Sequence, residues 1–128
     1  MSLAAPNPAV DEAFINQLRQ LTGDRLSLSE SVREQHGQDE SYHASAPPDV
    51  VVYGESTEEI SEIVKLCARH GVPVIPYGTG TALEGHVAAL QGGVCIDVSY
   101  MNEVLEVNVA DLDVRVQPGV TRKQLNAF

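Results

Sequence analysis

Residues 50–85 read VVVYGESTEEISEIVKLCARHGVPVIPYGTGTALEG, and this stretch decides the fold. Its first four residues form an uninterrupted apolar run, which is typical of a strand buried on both faces. Residues 72–75 form a second apolar run, and a helical pattern separates the two. Residues 50–76 are therefore predicted to form one β-α-β unit, with parallel strands and a right-handed crossover.

The helix between the two strands carries a start signal and a stop signal. Ser56-Thr57-Glu58-Glu59 is a capping-box pattern, in which Ser56 caps the helix and Glu59 reaches back. Gly71 is placed to end the helix, because glycine tolerates the left-handed conformation found there. The apolar positions predict the side that faces the sheet, formed by Ile60, Ile63, Val64 and Cys67.

The segment Tyr77-Gly78-Thr79-Gly80-Thr81 leaves the carboxyl end of the second strand, where open α/β sheets bind ligands. Its glycines, together with Gly85, let the backbone approach a ligand and adopt positive φ. Successive exposed N–H groups can bind an anion, and the two threonine hydroxyls add donors, which suits a diphosphate. On these residues alone, a flexible loop explains the composition equally well.

Two familiar phosphate motifs fail at this loop. Gly80 and Gly85 have the glycine spacing of a P-loop, but His86-Val87 stands where lysine and a hydroxyl residue are required. Gly78 opens a G-x-G-x-x-G pattern, but Leu83 occupies the position of its third glycine. Both a nucleoside triphosphatase site and a nicotinamide site are therefore disfavoured.

Residues 1–46 are predicted to form a helical and irregular segment ahead of this unit. Asn7 is placed to cap a first helix, and Gly23 is placed to stop it. A short helix is predicted around residues 29–36, and Pro47-Pro48 favours an extended chain. The apolar face predicted for the first helix consists of Val10, Phe14, Leu18 and Leu21.

Three further elements are predicted after the glycine loop. Residues 94–98 form a third apolar run, typical of a buried strand. Residues 105–109 and 114–117 alternate apolar and polar positions around a short polar turn, which predicts an antiparallel hairpin. Residues 121–124 repeat the capping-box pattern close to the end of the chain, which favours truncation. The predicted fold class is α/β (α+β), with a small parallel β-α-β core plus an antiparallel hairpin.

Composition excludes several classes of function. The 8 Lys and Arg against 18 Asp and Glu give a net charge of −10, which argues against nucleic acid and anionic lipid as partners. Cys67 and Cys95 lie in apolar runs, and the four histidines are dispersed, so neither a disulfide nor a metal site is indicated. No apolar run is long enough to span a membrane, and the first residues lack a signal-peptide pattern, so the predicted location is cytoplasmic.

The run PYGTGTALEG, at residues 76–85, resembles the diphosphate-binding loop of the vanillyl-alcohol-oxidase-type (PCMH-type) FAD-binding domains. Residues 48–60, 91–97 and 116–121 resemble the first strand and helix, the third strand and the P-G-V turn of that family. The loop is most similar to that of the branch containing cytochrome-linked D-lactate dehydrogenases and glycolate oxidase flavoproteins. The similarity spans roughly residues 33–128, with its motifs in order.

The resemblance implies FAD as cofactor and assigns residues to it. Those implied to wrap or hold the diphosphate are Tyr77, Gly78, Thr79, Gly80, Thr81 and Gly85, and those implied to lie beside the cofactor are Pro118, Gly119 and Val120. Some members bind FAD covalently through a loop histidine, and Gly80 stands at the comparable position, which implies non-covalent FAD. Catalytic residues are implied to lie beyond Phe128, so none is assigned here.

The resemblance further implies a parent enzyme that oxidises a D-2-hydroxy acid, such as D-lactate or glycolate, and passes electrons to an acceptor. Residues 47–128 are then the first part of its FAD-binding domain. The chain alone is expected to be inactive and to retain little or no FAD. Two alternatives stay open from the sequence: a stand-alone ligand-binding module without redox activity, and a chain that self-associates to cover exposed core.

Overall fold

The computed structural model describes residues 6–128, and its centre is a four-stranded sheet. Residues 1–5, on which the signal-peptide prediction rests, lie outside the described part of the chain. The strands are β1 (Leu26–Ser27), β2 (Val50–Tyr53), β3 (Val74–Tyr77) and β4 (Val94–Asp97), and their order across the sheet is β1-β2-β4-β3. The mixed α/β class predicted from the sequence is confirmed.

The two strands of the β-α-β unit are parallel, as predicted, but they are not neighbours. β4 lies between β2 and β3 and pairs with both in parallel, so that Tyr53, Asp97 and Tyr77 stand side by side at the carboxyl ends. The prediction placed the second strand two residues too early, at 72–75. β1 was missed altogether, because a two-residue strand has no period to detect, and it pairs antiparallel with β2.

Helix α3 (Thr57–His70) connects β2 to β3, and its inward face differs slightly from the predicted one. Ile63, Leu66 and Cys67 are buried, whereas the side chain of Val64 is 42 % exposed. Ser56 caps the helix by accepting a hydrogen bond from the N–H of Glu59 at 3.2 Å. The reciprocal bond of a capping box is absent among the described residues.

Glu59 has different partners from those predicted. Its carboxylate accepts a hydrogen bond from the N–H of Glu55 at 3.1 Å and pairs with the guanidinium of Arg25. Arg25 also donates to the carbonyl of Tyr53 at 2.6 Å. The ion pair therefore ties the start of α3 to the end of β2 and to the segment before β1.

Helix α1 (Glu12–Thr22) begins later than predicted. Asp11 caps it, because its side chain accepts from the N–H of Phe14 at 2.8 Å, whereas Asn7 caps only a turn by accepting from the N–H of Ala9 at 2.9 Å. Phe14 and Leu18 are buried as predicted, and α1 packs on α3. The short helix α2 (Glu30–Gln35) lies within the predicted range.

Apolar residues cover both faces of the sheet. One cluster contains Phe14, Leu18, Val50, Val52, Ile63, Leu66, Val94 and Ile96, and lies under α1 and α3. The other contains Val51, Ile75, Tyr77, Val87, Ala89 and Cys95, on the opposite face. Burial on both faces explains why β2 and β4 read as continuous apolar runs rather than as alternating ones.

The predicted hairpin is present and stands apart from the sheet. It pairs β5 (Val104–Asn108) with β6 (Asp113–Val116), and a short helix, α4 (Arg122–Ala127), follows. Its apolar side chains are exposed at Leu105, Val107, Val109, Leu112, Val114 and Val116. In the described residues no helix is long and apolar enough to cross a membrane.

Candidate cofactor site

The glycine loop is neither helix nor strand over residues 78–85. The N–H groups of Gly78, Thr79, Gly80 and Thr81 have no hydrogen-bond partner within residues 6–128. Gly80 has a φ of +73°, which places its peptide in a conformation that side chains disfavour. The backbone donors at the end of β3 are therefore left available to an external acceptor, as the sequence predicted for an anion-binding loop.

Two segments that lie about 40 residues apart in the sequence line a single cleft. This cleft, of about 550 Å³, is lined by Gly78 and Thr79 on one side and by Pro118, Gly119 and Val120 on the other. A second recess, of about 290 Å³, continues over residues 78–82 and reaches His86. The structure thus brings the predicted loop and the predicted P-G-V turn to one place.

The charge of the clefts differs sharply from that of the whole chain. Although the chain carries 18 acidic residues, no Asp or Glu of the described part lines either cleft. The hydroxyls of Thr79 and Thr81 lie 2.9 Å apart in the loop, and Arg122 contributes a positive side chain. The lining offers free N–H donors, hydroxyls and one guanidinium, and it contains no carboxylate. This combination suits a diphosphate.

Close packing shapes both sides of the main cleft. A Cβ at Gly80 would collide with the hydroxyl oxygen of Tyr77, whose ring lies directly beneath the loop. A Cβ at Gly119 would collide with the carbonyl oxygen of Val98, while its own N–H donates to the carbonyl of Met101 at 2.8 Å. Only glycine, which has no Cβ, lets the backbone at either position come this close to the neighbouring atoms.

Not every residue implied by the resemblance faces the clefts. Tyr77 is buried and supports the loop from below, so only its backbone could reach a ligand. Gly85 lines neither cleft and instead packs against the ring of His43, where a Cβ would collide. The N–H of Glu40 donates to the carbonyl of Ala82 at 3.0 Å, so this end of the loop is held by the N-terminal segment.

Several lining residues were missed by sequence reasoning. Asn102, Arg122 and Gln124 line the main cleft, and Gln124 donates to the carbonyl of Asn102 at 2.6 Å. Arg122 directly follows the predicted cap at Thr121, and its charge next to the P-G-V turn was an available signal. Glu84 lines neither cleft.

A buried ion pair lies beneath the site. Nε2 of His36 is 2.8 Å from Oδ2 of Asp97, and both side chains are almost inaccessible. Burial lowers the pKa of His36, but its bonds to Asp97 and to the Val32 carbonyl outweigh that effect and raise the pKa overall. Burial raises the pKa of Asp97, but hydrogen bonds from His36 and Ser99 outweigh it and lower the pKa overall. Both shifts favour the charged forms, an imidazolium beside a carboxylate.

The remaining chemistry-bearing residues form no second site. Cys67 and Cys95 are free and buried, and burial raises the pKa of their thiols to about 11 and about 12, so both stay protonated. Within residues 6–128 no group of three or more His, Cys, Asp or Glu side chains could hold a metal ion.

The fold and the clefts define an α/β domain that offers backbone donors to an anionic ligand at the carboxyl edge of its sheet. Comparison with known proteins then specifies the family: residues 48–128 match the family described as FAD binding domain. This chain belongs to that family, and FAD is the cofactor the family binds.

Named relatives agree with this membership. The chain is 50 % identical over 121 residues to a probable mitochondrial D-lactate dehydrogenase of Danio rerio, covering 94 % of this chain and 24 % of that protein. It is 35 % identical over 105 residues to the glycolate oxidase subunit GlcD of Bacillus subtilis, covering 81 % and 22 %. The chain thus spans about a quarter of the length of these relatives.

Solved structures show the same fold. The structure of an alkyldihydroxyacetonephosphate synthase superposes with a TM-score of 0.83 at 24 % identity, covering 95 % of this chain and 25 % of that one. The branch suggested by the resemblance, with D-lactate dehydrogenases and glycolate oxidase, is confirmed by the named relatives.

Proposed function

We propose that this chain binds the diphosphate of FAD within a flavin-dependent D-2-hydroxy-acid dehydrogenase or oxidase. The observation that carries the proposal is the cleft shared by residues 78–79 and 118–120, with unpaired N–H groups and no carboxylate. When bound, FAD supplies the two-electron acceptor for oxidation of the substrate's hydroxyl-bearing carbon. D-lactate and glycolate are the proposed substrates, because relatives bear those names.

The implied residues are proposed to have two kinds of role, contact with the cofactor and support of the loop. The N–H groups of Gly78, Thr79, Gly80 and Thr81 donate to the diphosphate, and Pro118, Gly119 and Val120 flank it. Tyr77 and Gly85 hold the loop from its two ends rather than touch the cofactor. Binding is proposed to be non-covalent, because Gly80 stands where members of the family that bind FAD covalently carry a histidine.

We further propose that residues 1–46 form a supporting segment and that residues 47–128 are the first part of a larger FAD-binding domain. The family match over residues 48–128 supports the boundary, and the length of the relatives supports a larger protein. The contacts of Glu40 and His43 with the glycine loop support the role of the first segment. Cytoplasm stays the proposed location, although the Danio rerio relative is named as mitochondrial. Fluorescent tagging of the full-length gene product would decide between the two.

The activity proposal is tested on the full-length gene product. We expect D-lactate or glycolate to reduce an artificial electron acceptor in the presence of FAD, and L-lactate to give much less. The chain of 128 residues assayed alone should show no turnover. Equal rates with D- and L-lactate, or no rate with any 2-hydroxy acid, would contradict the proposed substrate class.

The hairpin supports a second proposal, which concerns the isolated chain. Two cross-strand pairs, Val107 with Val114 and Val104 with Val116, lie on one face of β5 and β6, and most of their side chains are exposed. We propose that a second copy covers this face in solution, because exposed apolar surface favours association. Sedimentation over a concentration series should show a dimer in the wild-type chain and a monomer in Val107→Lys. A wild-type monomer at every concentration would refute it.

A further inference from the structure

The buried pair of His36 and Asp97 connects the two sides of the cleft. His36 lies outside the residues that match the FAD-binding family, yet its ring reaches the carboxyl edge of the sheet. Nδ1 lies 2.8 Å from the carbonyl of Val32 and must donate to it, because a carbonyl only accepts. Nε2 then needs its own proton for the bond to Asp97, so the ring orientation is fixed at both nitrogens.

On one side, His36 supports the glycine loop through an aromatic contact. Its ring centroid lies 4.3 Å from that of Tyr77. The Tyr77 hydroxyl in turn fills the space beneath Gly80, where a Cβ would otherwise lie. The position of the Gly80 peptide therefore depends on the Tyr77 ring, and the ring depends on His36.

On the other side, Asp97 supports the P-G-V turn through the backbone. Its Oδ1 accepts from the N–H of Ser99 at 2.8 Å, which fixes the start of the turn over residues 98–101. The carbonyls of Val98, Ser99 and Met101 surround Gly119, and Met101 accepts its N–H. The position of Gly119 therefore depends on a turn that Asp97 holds.

We propose that His36 and Asp97 are positioning residues that set the distance between the two sides of the cofactor cleft. The proposal rests on the proposed function of that cleft. Neither side chain touches the cofactor, because both are buried under Tyr77 and the sheet edge. A pair that only stabilised the core would leave Gly80 and Gly119 in place when the protein remained folded.

Three variants separate these roles. Asp97→Asn keeps both hydrogen bonds, since an asparagine oxygen accepts from Ser99 and its amide donates to a neutral His36. His36→Ala combined with Asp97→Ala removes both the ring beside Tyr77 and the acceptor of the Ser99 N–H, and it leaves no buried charge. The matched control is Asp49→Asn, whose carboxylate accepts from the N–H of Gly93 at 2.6 Å at the opposite end of the sheet.

The first readout needs no ligand. In ¹H–¹⁵N spectra of the chain, the double variant should shift the amide signals of Gly80 and Gly119 and leave Gly71 unchanged. Asp97→Asn should shift them little, and Asp49→Asn should shift Gly93 instead. If the double variant folds and Gly80 and Gly119 keep their wild-type signals, the positioning role is refuted.

The second readout is a titration of the full-length gene product and its variants with FAD, because the chain of 128 residues alone is expected to retain little or none. The double variant should bind about 10-fold more weakly than wild type, the effect of losing one well-placed contact, while Asp97→Asn stays close to wild type. Equal affinity of the double variant and wild type would overturn the proposal. If the amides move as expected but the full-length wild type shows no FAD binding, the proposed function fails while the positioning role stands.

Discussion

At the scale of single residues, two glycines decide whether the cleft can exist. Gly80 combines a positive φ with a position at which a Cβ would collide with the side chain of Tyr77. Gly119 has ordinary backbone angles but is enclosed by carbonyl oxygens of the turn before β5. At both positions a Cβ would collide with backbone atoms or with a buried side chain, and not with a flexible side chain at the surface.

Gly80→Ala should weaken FAD binding by about 10-fold or more, because the new Cβ must displace either the Tyr77 ring or the loop. FAD titration of the two proteins by ¹H–¹⁵N spectra measures the change. Gly71→Ala is the matched control: its φ of +66° imposes similar backbone strain, but no atom lies within 4 Å of the new Cβ. Equal losses of affinity in both variants would show that strain alone, not the shape of the loop, is responsible.

At the scale of elements, helix α3 anchors the β-α-β unit through its first turn. Ser56 supplies the cap, while Glu59 is drawn toward Arg25 and the end of β2. Burial raises the pKa of Glu59, but the larger effect of the Arg25 hydrogen bond holds it below its ordinary value. The helix start is thus fixed both locally and by a distant partner.

Ser56→Ala should lower the free energy of unfolding by about 1 kcal/mol, since the N–H of Glu59 loses its acceptor. Urea denaturation of the chain would measure the loss. Thr57→Ala, at the first helical residue and with an exposed side chain, should change stability far less. A loss of comparable size in Thr57→Ala would argue against the cap as the cause.

These elements also show how far the sequence can be interpreted without coordinates. The strand at 50–53, the helix that follows it and the hairpin were predictable, because their periods and caps are local signals. The start of α1 was misplaced because Asn7 and Asp11 are both good caps, and only packing selects Asp11. The partner of Glu59 was unpredictable, because Arg25 lies 34 residues away.

The candidate site was predictable to a similar extent. The loop over 77–81 and the P-G-V turn follow from glycine positions and from family resemblance. Their meeting in one cleft depends on β4 inserting between β2 and β3, which no local pattern specifies. The pair of His36 and Asp97 was missed for the same reason, since the two residues are 61 positions apart.

At the scale of the whole molecule, the pair of His36 and Asp97 makes stability depend on pH. The groups that face it are Tyr53, Tyr77 and Cys95, and burial raises the pKa of each, so they stay neutral over the relevant range. Asp97 contributes fully to the stability of the fold above its ordinary pKa of 3.8. His36 contributes fully to that stability below its ordinary pKa of 6.5. Both contributions are therefore complete between those values.

As pH rises above about 6.5 and through the raised pKa of His36, the wild-type chain should lose stability by at most about 1.4 kcal/mol per pH unit. Asp97→Asn should lose less over the same interval, because its histidine no longer gains a charged partner. Urea midpoints of both proteins between pH 5.5 and 8.5, chosen as roughly the range over which a histidine titrates, provide the comparison. Parallel curves would contradict the assignment of an ion pair.

The central claim is that the backbone amides of residues 78–81 donate to the diphosphate of FAD, which Pro118, Gly119 and Val120 flank from the other side of the cleft. It is tested most directly by titrating the ¹⁵N-labelled chain with an excess of FAD, which reveals weak binding, and with riboflavin as a control that lacks the diphosphate. We predict that FAD shifts the amide signals of Gly78, Thr79, Gly80, Thr81 and Gly119, and that riboflavin leaves those of the glycine loop unchanged. Shifts by FAD that avoid these amides, or identical shifts by both ligands, would contradict the account.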